Sequence, residues 1–186
     1  VFAFIPVYNK LIEKIGLLKA YILALALTGI SFILFFFIGW NFSSAIIGMI
    51  LLGMSFSGYF LMGQMVMADV IDYDEVLTGK RRETTYSGAN ALLTKPAVSL
   101  APWLFLTIIN AFGFKSQISD QTSSAQLGIM IGFTIIPAIF ILFSAVAMKY
   151  FPLKGKEWKK EKEKLAKIHR EKERNYLRHL KEKGEL

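Results

Sequence analysis

Residues 21–39, YILALALTGISFILFFFIG, form a run of nineteen residues without a charged side chain. A hydrocarbon core about 30 Å thick is crossed by about 20 apolar residues in a helix that rises 1.5 Å per residue. Three later stretches are at least as long, and only one charge, Lys95, interrupts them. The sequence therefore predicts an all-α, polytopic membrane protein. Its four spans are predicted at about 20–39, 43–68, 84–112 and 125–149.

The composition excludes several classes of protein. Hydrophobic residues make up 54% of the chain and charged residues 19%, which is too apolar for a soluble domain with one buried face. The absence of Cys excludes disulfides, thiolate catalysis and Cys-ligated zinc. Both histidines, His169 and His179, lie in a charged tail, and the spans contain no Ser, His and Asp set. We therefore expect no enzyme activity and no metal site within this chain.

Basic residues are concentrated at alternate ends of the predicted spans. Lys10, Lys14 and Lys19 precede the first span, residues 80–82 follow the second, and a tail at 152–186 follows the fourth. Because cytoplasmic loops of membrane proteins carry an excess of Lys and Arg, these ends are predicted to be cytoplasmic. The sequence thus predicts a multi-pass protein of the cell (plasma) membrane, with a bundle portion at 1–151 and a cytoplasmic C-terminus.

The tail at 152–186 carries 13 basic and 7 acidic residues, a net charge of +6. The two signs are interleaved, which is typical of a solvated helix and argues against nucleic acid as a partner. A broken apolar stripe leaves open a second interpretation, a helix that lies on the anionic surface of the bilayer. That stripe consists of Trp158, Leu165, Ile168, Leu177 and Leu180.

Lys95 is the one charge in the interior of a predicted span. It follows Thr85 by ten residues, roughly 15 Å along a helix, which places its ammonium near the middle of the hydrocarbon core. A lysine at that depth costs about 2.5 to 3.5 kcal/mol on insertion scales. Its stem reaches only part of the way to the surface, so snorkelling is a weaker interpretation than a functional one. We expect an acidic partner or a water-filled cavity beside Lys95.

Two stretches resemble a known transporter family. The run Ala68-Asp69-x-x-Asp72-Tyr73, followed by Thr78-Gly79-x-Arg81-x-Glu83 and then by Lys95, resembles the glycoside-pentoside-hexuronide:cation symporters. These symporters are the melibiose-permease-like branch of the major facilitator superfamily. An upstream stretch looks like the facilitator loop motif, with Asn9 in place of the opening glycine. That stretch is Asn9-x-x-x-Glu13-Lys14-x-Gly16-x-x-Lys19.

The resemblance implies a fold larger than this chain. It corresponds to the C-terminal part of a twelve-helix major facilitator fold, from the end of helix 8 through helices 9 to 12. The chain also begins at Val1 inside an apolar run that is too short to cross a bilayer. We expect a missing N-terminal half, which would be a partner of this chain and would hold most of the acidic cation ligands.

The resemblance also implies roles for individual residues. Lys95 and Asn90 would lie in the cavity that binds sugar and cation. The positions that would form a cytoplasmic charge network, sealing the outward-facing state, are Asp69, Asp72, Arg81 and Glu83.

The sequence alone allows other interpretations of some of these residues. The carboxylates could belong to an ordinary solvated loop, and Asn90 could hydrogen-bond between helices. A calcium loop that starts at Asp72 is rejected, because Val76 and Leu77 occupy positions that need an oxygen ligand and a glycine.

The predicted function is secondary active transport: symport of a sugar or glycoside with Na⁺ or H⁺ by alternating access, in a lipid bilayer. No cofactor is expected apart from the coupling cation. A facilitator for another organic solute is the first alternative. A membrane scaffold without transport activity is the second, although a scaffold has no use for a lysine at the midplane.

Overall fold

The computed structural model describes residues 4–183, without the side chain of Lys156. The predicted limits at residues 1 and 186 therefore lie outside the described residues. Seven α-helices are present in this part of the chain. They are α1 (Ile5–Ile15), α2 (Leu17–Ile38), α3 (Phe42–Thr78), α4 (Glu83–Ala111), α5 (Ser123–Met130), α6 (Ile136–Ala147) and α7 (Gly155–Glu182).

Four helical segments are long and apolar enough to cross a membrane. They are α2, α3, α4 and the continuous segment Ser123–Tyr150, which contains α5 and α6. The all-α, polytopic architecture expected from the sequence is confirmed. The turn between the first two segments is short, because only Gly39, Trp40 and Asn41 separate α2 from α3.

The second of these helices is longer than its predicted span. α3 has 37 residues and ends at Thr78, ten residues after the predicted end at Ala68. No Gly or Pro interrupts this charged extension until Gly79, which takes a left-handed φ of 68° and donates its N–H to the Glu75 carbonyl at 2.8 Å. A glycine in this conformation is a common end to a helix. The interpretation of residues 69–78 as a loop is therefore wrong, and its carboxylates lie on a helix.

α2 lies at the centre of the bundle, between α3 and α6. Glycines permit the close approach of its two neighbours. A Cβ atom at Gly48 of α3 would lie 2.5 Å from the Phe35 ring, and one at Gly29 of α2 would lie 2.6 Å from the Leu142 side chain. Because lipid tails are as apolar as the side chains, such close packing is a main source of helix association in membranes.

The last span contains a π-helical segment at Ile131–Ile135. Pro137 follows at the start of α6 and has no N–H to donate back to the preceding turn. The N–H of Ile136 bonds to the carbonyl of Ile131, five residues earlier, so the wider turn absorbs the break. The interruption near Pro137 is thus a π segment within a continuous helix.

α1 meets α2 at Gly16, whose φ of 85° and ψ of 156° belong to a region that is essentially restricted to glycine. Glu13 and Lys14, two further positions of the facilitator-like motif, lie in the last turn of α1 rather than in a loop. The reason is that no Gly or Pro occurs between Pro6 and Gly16. Glu13 and Lys14 are exposed, and their side chains make no ion pair with another described residue.

α7 packs against α3. Leu165 of α7 is only 6% exposed and Leu153, just before the helix, is 8% exposed. The prediction of a merely solvated tail helix is therefore wrong over the part that contacts α3. A helix with one apolar stripe is stabilised by burying that stripe. Here part of the stripe is buried where α7 contacts α3.

Candidate functional site

The candidate site begins at the end of α3, where two helical turns carry four carboxylates. They are Asp69, Asp72, Asp74 and Glu75. Gly79 turns the chain back, so that Arg81 and Arg82 meet these carboxylates before α4 begins. Four negative charges on one helix end repel each other, and they need cations in return. The two arginines and α7 supply these cations.

Arg81 is the centre of the first group of charges. Its guanidinium donates to Asp72 at 2.8 Å, to Glu75 at 3.1 Å and to Glu83 at 2.5 Å. Glu83 stands in the first turn of α4, where a carboxylate also interacts favourably with the helix dipole. These hydrogen bonds, the one to Glu83 foremost, raise the pKa of Arg81 above its ordinary value. Arg81 thereby joins the end of α3 to the beginning of α4.

Arg82 forms a separate pair with Asp74. Its Nε donates to Asp74 Oδ2 at 2.8 Å, and its second terminal nitrogen donates to Oδ1. Such a two-pronged contact fixes the direction of approach as well as the distance. The hydrogen bonds to Asp74 raise the pKa of Arg82. The pair is a second connection between α3 and the start of α4.

α7 supplies the partners of the remaining carboxylates. Trp158 donates its indole N–H to Asp69 at 3.1 Å, and the ammonium of Lys162 forms an ion pair with the same carboxylate. His169, two helical turns later, lies 2.8 Å from Glu75 through its Nε2. The Trp158 ring also meets the edge of Tyr73, with 5.9 Å between the ring centroids. We call the whole set of contacts the charge cluster; its members are Asp69, Asp72, Asp74, Glu75, Arg81, Arg82, Glu83, Trp158, Lys162 and His169.

The structure brings together three of the four predicted network residues, Asp72, Arg81 and Glu83. Asp69 lies on the same helix end but binds α7 instead. Sequence reasoning missed six members: Asp74, Glu75, Arg82, Trp158, Lys162 and His169. Three of them had a signal in the sequence: Arg82 is adjacent to Arg81, and Asp74 and Glu75 lie within one helical turn of Asp72. The three tail residues had no such signal, because their contacts depend on the position of α7.

The partners found here lie within one chain. Asp72, Arg81 and Glu83 pair with one another, whereas the family resemblance implies that they form a network sealing the outward-facing state. Each of the four carboxylates at the end of α3 pairs with a cation of this chain. The arrangement supports a rigid joint between α3, α4 and α7, and the sealing role stays a prediction.

Lys95 lies far from the charge cluster, in the middle of α4. This helix contacts α5 and the π segment, and among its residues only Ile109 is buried. Lys95 is exposed, and its side chain makes no hydrogen bond or ion pair with any residue in the range 4–183. The described part of the chain therefore does not provide the partner that a mid-span ammonium needs.

Asn90 is also exposed on α4, five residues before Lys95. Its carbonyl accepts a hydrogen bond from the Thr94 hydroxyl at 2.9 Å. Five residues of an α-helix turn through about 140°, so the two side chains do not share one face. A cavity containing both residues must extend around α4. Their assignment to one binding cavity stays a prediction.

Metal coordination by this part of the chain has no structural support. Within residues 4–183, no three His, Asp or Glu side chains are grouped as ligands of a metal ion. That most of the acidic cation ligands belong to a missing N-terminal half stays a prediction.

Two comparisons with known proteins both find similarity to transport proteins. The chain matches the family described as MFS/sugar transport protein over residues 1–155. It is 30% identical over 106 residues to an uncharacterized symporter of Synechocystis sp., a match that covers 54% of this chain and 20% of that protein. The chain thus spans about a fifth of the length of this relative. No solved structure matches it. Because the family match covers most of its residues, the chain belongs to the MFS/sugar transport protein family.

Proposed function

We propose that this chain is part of a secondary active transporter that moves a sugar or glycoside together with Na⁺ or H⁺. The observation that supports this proposal best is Lys95, an ammonium without a described partner in the middle of an exposed, apolar helix. Holding it against lipid costs several kcal/mol, which no contact in α4 offsets. A water-filled cavity with an acidic group would remove that cost.

In this proposal the exposed side of α4 faces the other half of the transporter. A carboxylate from that half pairs with Lys95 while the site is empty, and the coupling cation competes with Lys95 for it. Such competition links cation binding to the conformation of the cavity. The carboxylate pairs with Lys95 in one arrangement and with the cation in the other. Sugar hydroxyls then bind to the groups that are set free. Asn90 contributes to the same cavity from another side of α4.

The charge cluster has a mechanical role in this proposal. It fixes the end of α3 to the start of α4 and to α7, so that these elements move together when the two halves rock. The shape of this end of the bundle is thus preserved by Asp69, Asp72, Arg81 and Glu83. The contact that seals the outward-facing state is then made by α3, α4 and α7 together. The distribution of Lys and Arg supports an orientation in which this end faces the cytoplasm. The membrane in this proposal is the cell membrane.

Two other functions share part of this evidence. A facilitator that moves another organic solute would have the same fold and the same Lys95, and would differ only in the other half of its cavity. A scaffold that uses α7 to recruit partners is less well supported, because docking of α7 does not require a charge in the middle of α4.

Uptake into membrane vesicles tests the proposal. The full reading frame that contains this chain is expressed, and vesicles are supplied with a panel of labelled glycosides under an imposed gradient of Na⁺ or of H⁺. We expect at least one glycoside to accumulate above its external concentration under one of the gradients, and an ionophore that collapses that gradient to abolish the accumulation. Vesicles without the protein are the control. Uptake that only equilibrates, whatever the gradient, would show a facilitator, and no uptake at all would favour the scaffold.

A further inference from the structure

A cavity of about 480 Å³ lies at the end of the bundle where the charge cluster is found. It is bounded by the start of α2, by α3 near Asp69, and by the chain between α6 and α7. Its basic lining consists of Lys19, Lys154, Lys159 and Lys162. None of these lysines belongs to the proposed transport site, so the cavity requires a separate explanation.

The charges that line the cavity do not balance. Asp69 is the one carboxylate in the lining, and it is paired with Lys162. Lys154 donates to the carbonyl of Lys149 at 3.2 Å, which leaves its charge without an anion. Lys19 and Lys159 make no side-chain hydrogen bond or ion pair with any described residue. The cavity thus has an excess of three positive charges, which attracts an anion.

The other large side chains of the lining, apart from Trp158, are apolar, and we call them the apolar wall. It is formed by Ile15, Leu17, Leu18, Val66, Phe151 and Leu153. Leu17 begins the first span and Val66 lies near the end of the apolar part of the second, so this wall is level with the edge of the hydrocarbon core. Trp158 borders the cavity at the same depth, where tryptophan is enriched in membrane proteins.

We propose that this cavity holds the headgroup of an anionic phospholipid. The phosphate lies against Lys19 and Lys159, and the acyl chains follow the apolar wall into the bilayer. Basic pockets between helices at the cytoplasmic side of a membrane suit such headgroups, because the inner leaflet is negatively charged. A soluble phosphate would use the lysines but leave the apolar wall without a partner, so the basic and apolar parts of the lining together favour a lipid.

This inference goes beyond the proposed function, because it depends neither on the transported solute nor on the coupling ion. It has one consequence for the charge cluster. The cavity includes Asp69, Trp158 and Lys162, which fix α7 to α3. A lipid bound between α2 and α7 stabilises the docked position of α7 by mass action.

Native mass spectrometry of the full-length protein in detergent tests the lipid site. Phosphatidylglycerol, phosphatidylcholine and glycerol phosphate are titrated separately, and the bound fraction is measured. The test variant is Lys19→Gln/Lys159→Gln. The matched control is Lys167→Gln/Lys181→Gln, which removes two exposed lysines from α7 away from the cavity. At about 1 kcal/mol for each lysine near an anionic surface, we expect roughly tenfold or more weaker phosphatidylglycerol binding in the test variant alone.

Three results would overturn the proposal. Equal binding of phosphatidylcholine and phosphatidylglycerol to the unmodified protein would exclude recognition of the anion. An equal loss in the control variant would show that binding follows the total charge of the tail. Glycerol phosphate that binds as well as the lipid would show a site for soluble phosphate esters. If the double variant does not fold, Lys19→Gln and Lys159→Gln are measured singly, each with an expected loss of about threefold or more.

Discussion

The end of α3 and the middle of α4 differ in whether their charges are paired within the described part of the chain. At the end of α3, each of four carboxylates has a cationic partner from the loop or from α7. In the middle of α4, one ammonium has no partner within the described residues. Both regions are charged parts of helices that are otherwise apolar. The first region contains charges that pair within this chain, and the second contains a charge whose partner we propose lies elsewhere in the protein.

This distinction has a physical basis. Ion pairs near water contribute modestly to stability, and several together can fix the relative position of helix ends. A single unpaired charge in a span makes insertion of that helix into the membrane less favourable, so we expect the charge to have a function. We therefore expect changes in the charge cluster to affect stability and changes at Lys95 to affect transport.

The largest effect is expected at Lys95. In the full-length protein, Lys95→Ala or Lys95→Gln should reduce gradient-driven sugar accumulation at least tenfold, while the amount of protein in the membrane stays the same. Removing a charge from a span eases insertion, so a loss of activity cannot be attributed to poor assembly. Lys95→Arg should restore little, because a planar guanidinium replaces a compact ammonium. Uptake in vesicles under an imposed ion gradient is the measurement.

Lys115 provides the control for Lys95. It is exposed in the connection between α4 and α5, and it makes no ion pair with a described residue. Lys115→Gln should leave accumulation unchanged. Normal accumulation by Lys95→Ala would remove Lys95 from the transport site and end the contrast between the two regions.

The second effect is loss of the docked tail. Truncation after Gly155 removes Trp158, Lys162, Leu165 and His169 from the end of α3, so that Asp69 loses both partners. We expect the melting temperature to fall by about 4–8 °C, since a buried apolar contact and three polar contacts disappear together. Thermal unfolding in detergent measures the change. Accumulation per folded molecule should remain, and its loss would assign the tail a role in transport.

The third effect concerns Arg81, which has three carboxylate partners. Arg81→Gln should lower the melting temperature by about 2–4 °C, because Asp72 and Glu75 are left facing each other with less positive charge. Lys80 is the matched control: it is adjacent and exposed, and its ammonium has no ion pair in the described part of the chain. Lys80→Gln should have no measurable effect. Equal melting temperatures for the two variants would reduce the cluster to ordinary solvated charge.

The smallest effect is expected at His169, which has a single partner, Glu75. Glutamine retains a donor at the end of its side chain, and Glu75 keeps Arg81, so His169→Gln should lower the melting temperature by less than about 1 °C. His179→Gln, in the same helix but without a side-chain partner among the described residues, is the comparison. A decrease as large as that of Arg81→Gln would show that the tail, rather than the loop, dominates the cluster.

The spans and their number were accessible from the sequence, because they depend on local properties. Any run of about twenty apolar residues has few alternatives to a spanning helix. The continuation of α3 to Thr78 was not recognised, because charged residues after a span were interpreted as a loop. The position of Gly79, the first helix breaker after that span, was the signal that could have corrected this.

The candidate site was accessible only in part. Resemblance to a family supplied Asp72, Arg81 and Glu83, which are close in sequence and meet through one turn. The contacts of Asp69 with Trp158 and Lys162 join residues about ninety positions apart. Such contacts depend on where α7 lies after folding, and no local pattern records that position. For Lys95, the sequence predicted the need for a partner but could not identify the partner.

The length of α3 has a mechanical consequence. At 1.5 Å per residue, its 37 residues make a rod about 55 Å long, of which roughly 30 Å lies between the bilayer midplane and Thr78. A tilt of about 10° at the midplane therefore displaces the tip by about 5 Å, close to the rise of one helical turn. We therefore expect the end of α3 near Thr78 to move further than its membrane-embedded part, and α7 is attached near that end. Any probe on α7 would register small movements of the membrane-embedded part at their greatest amplitude.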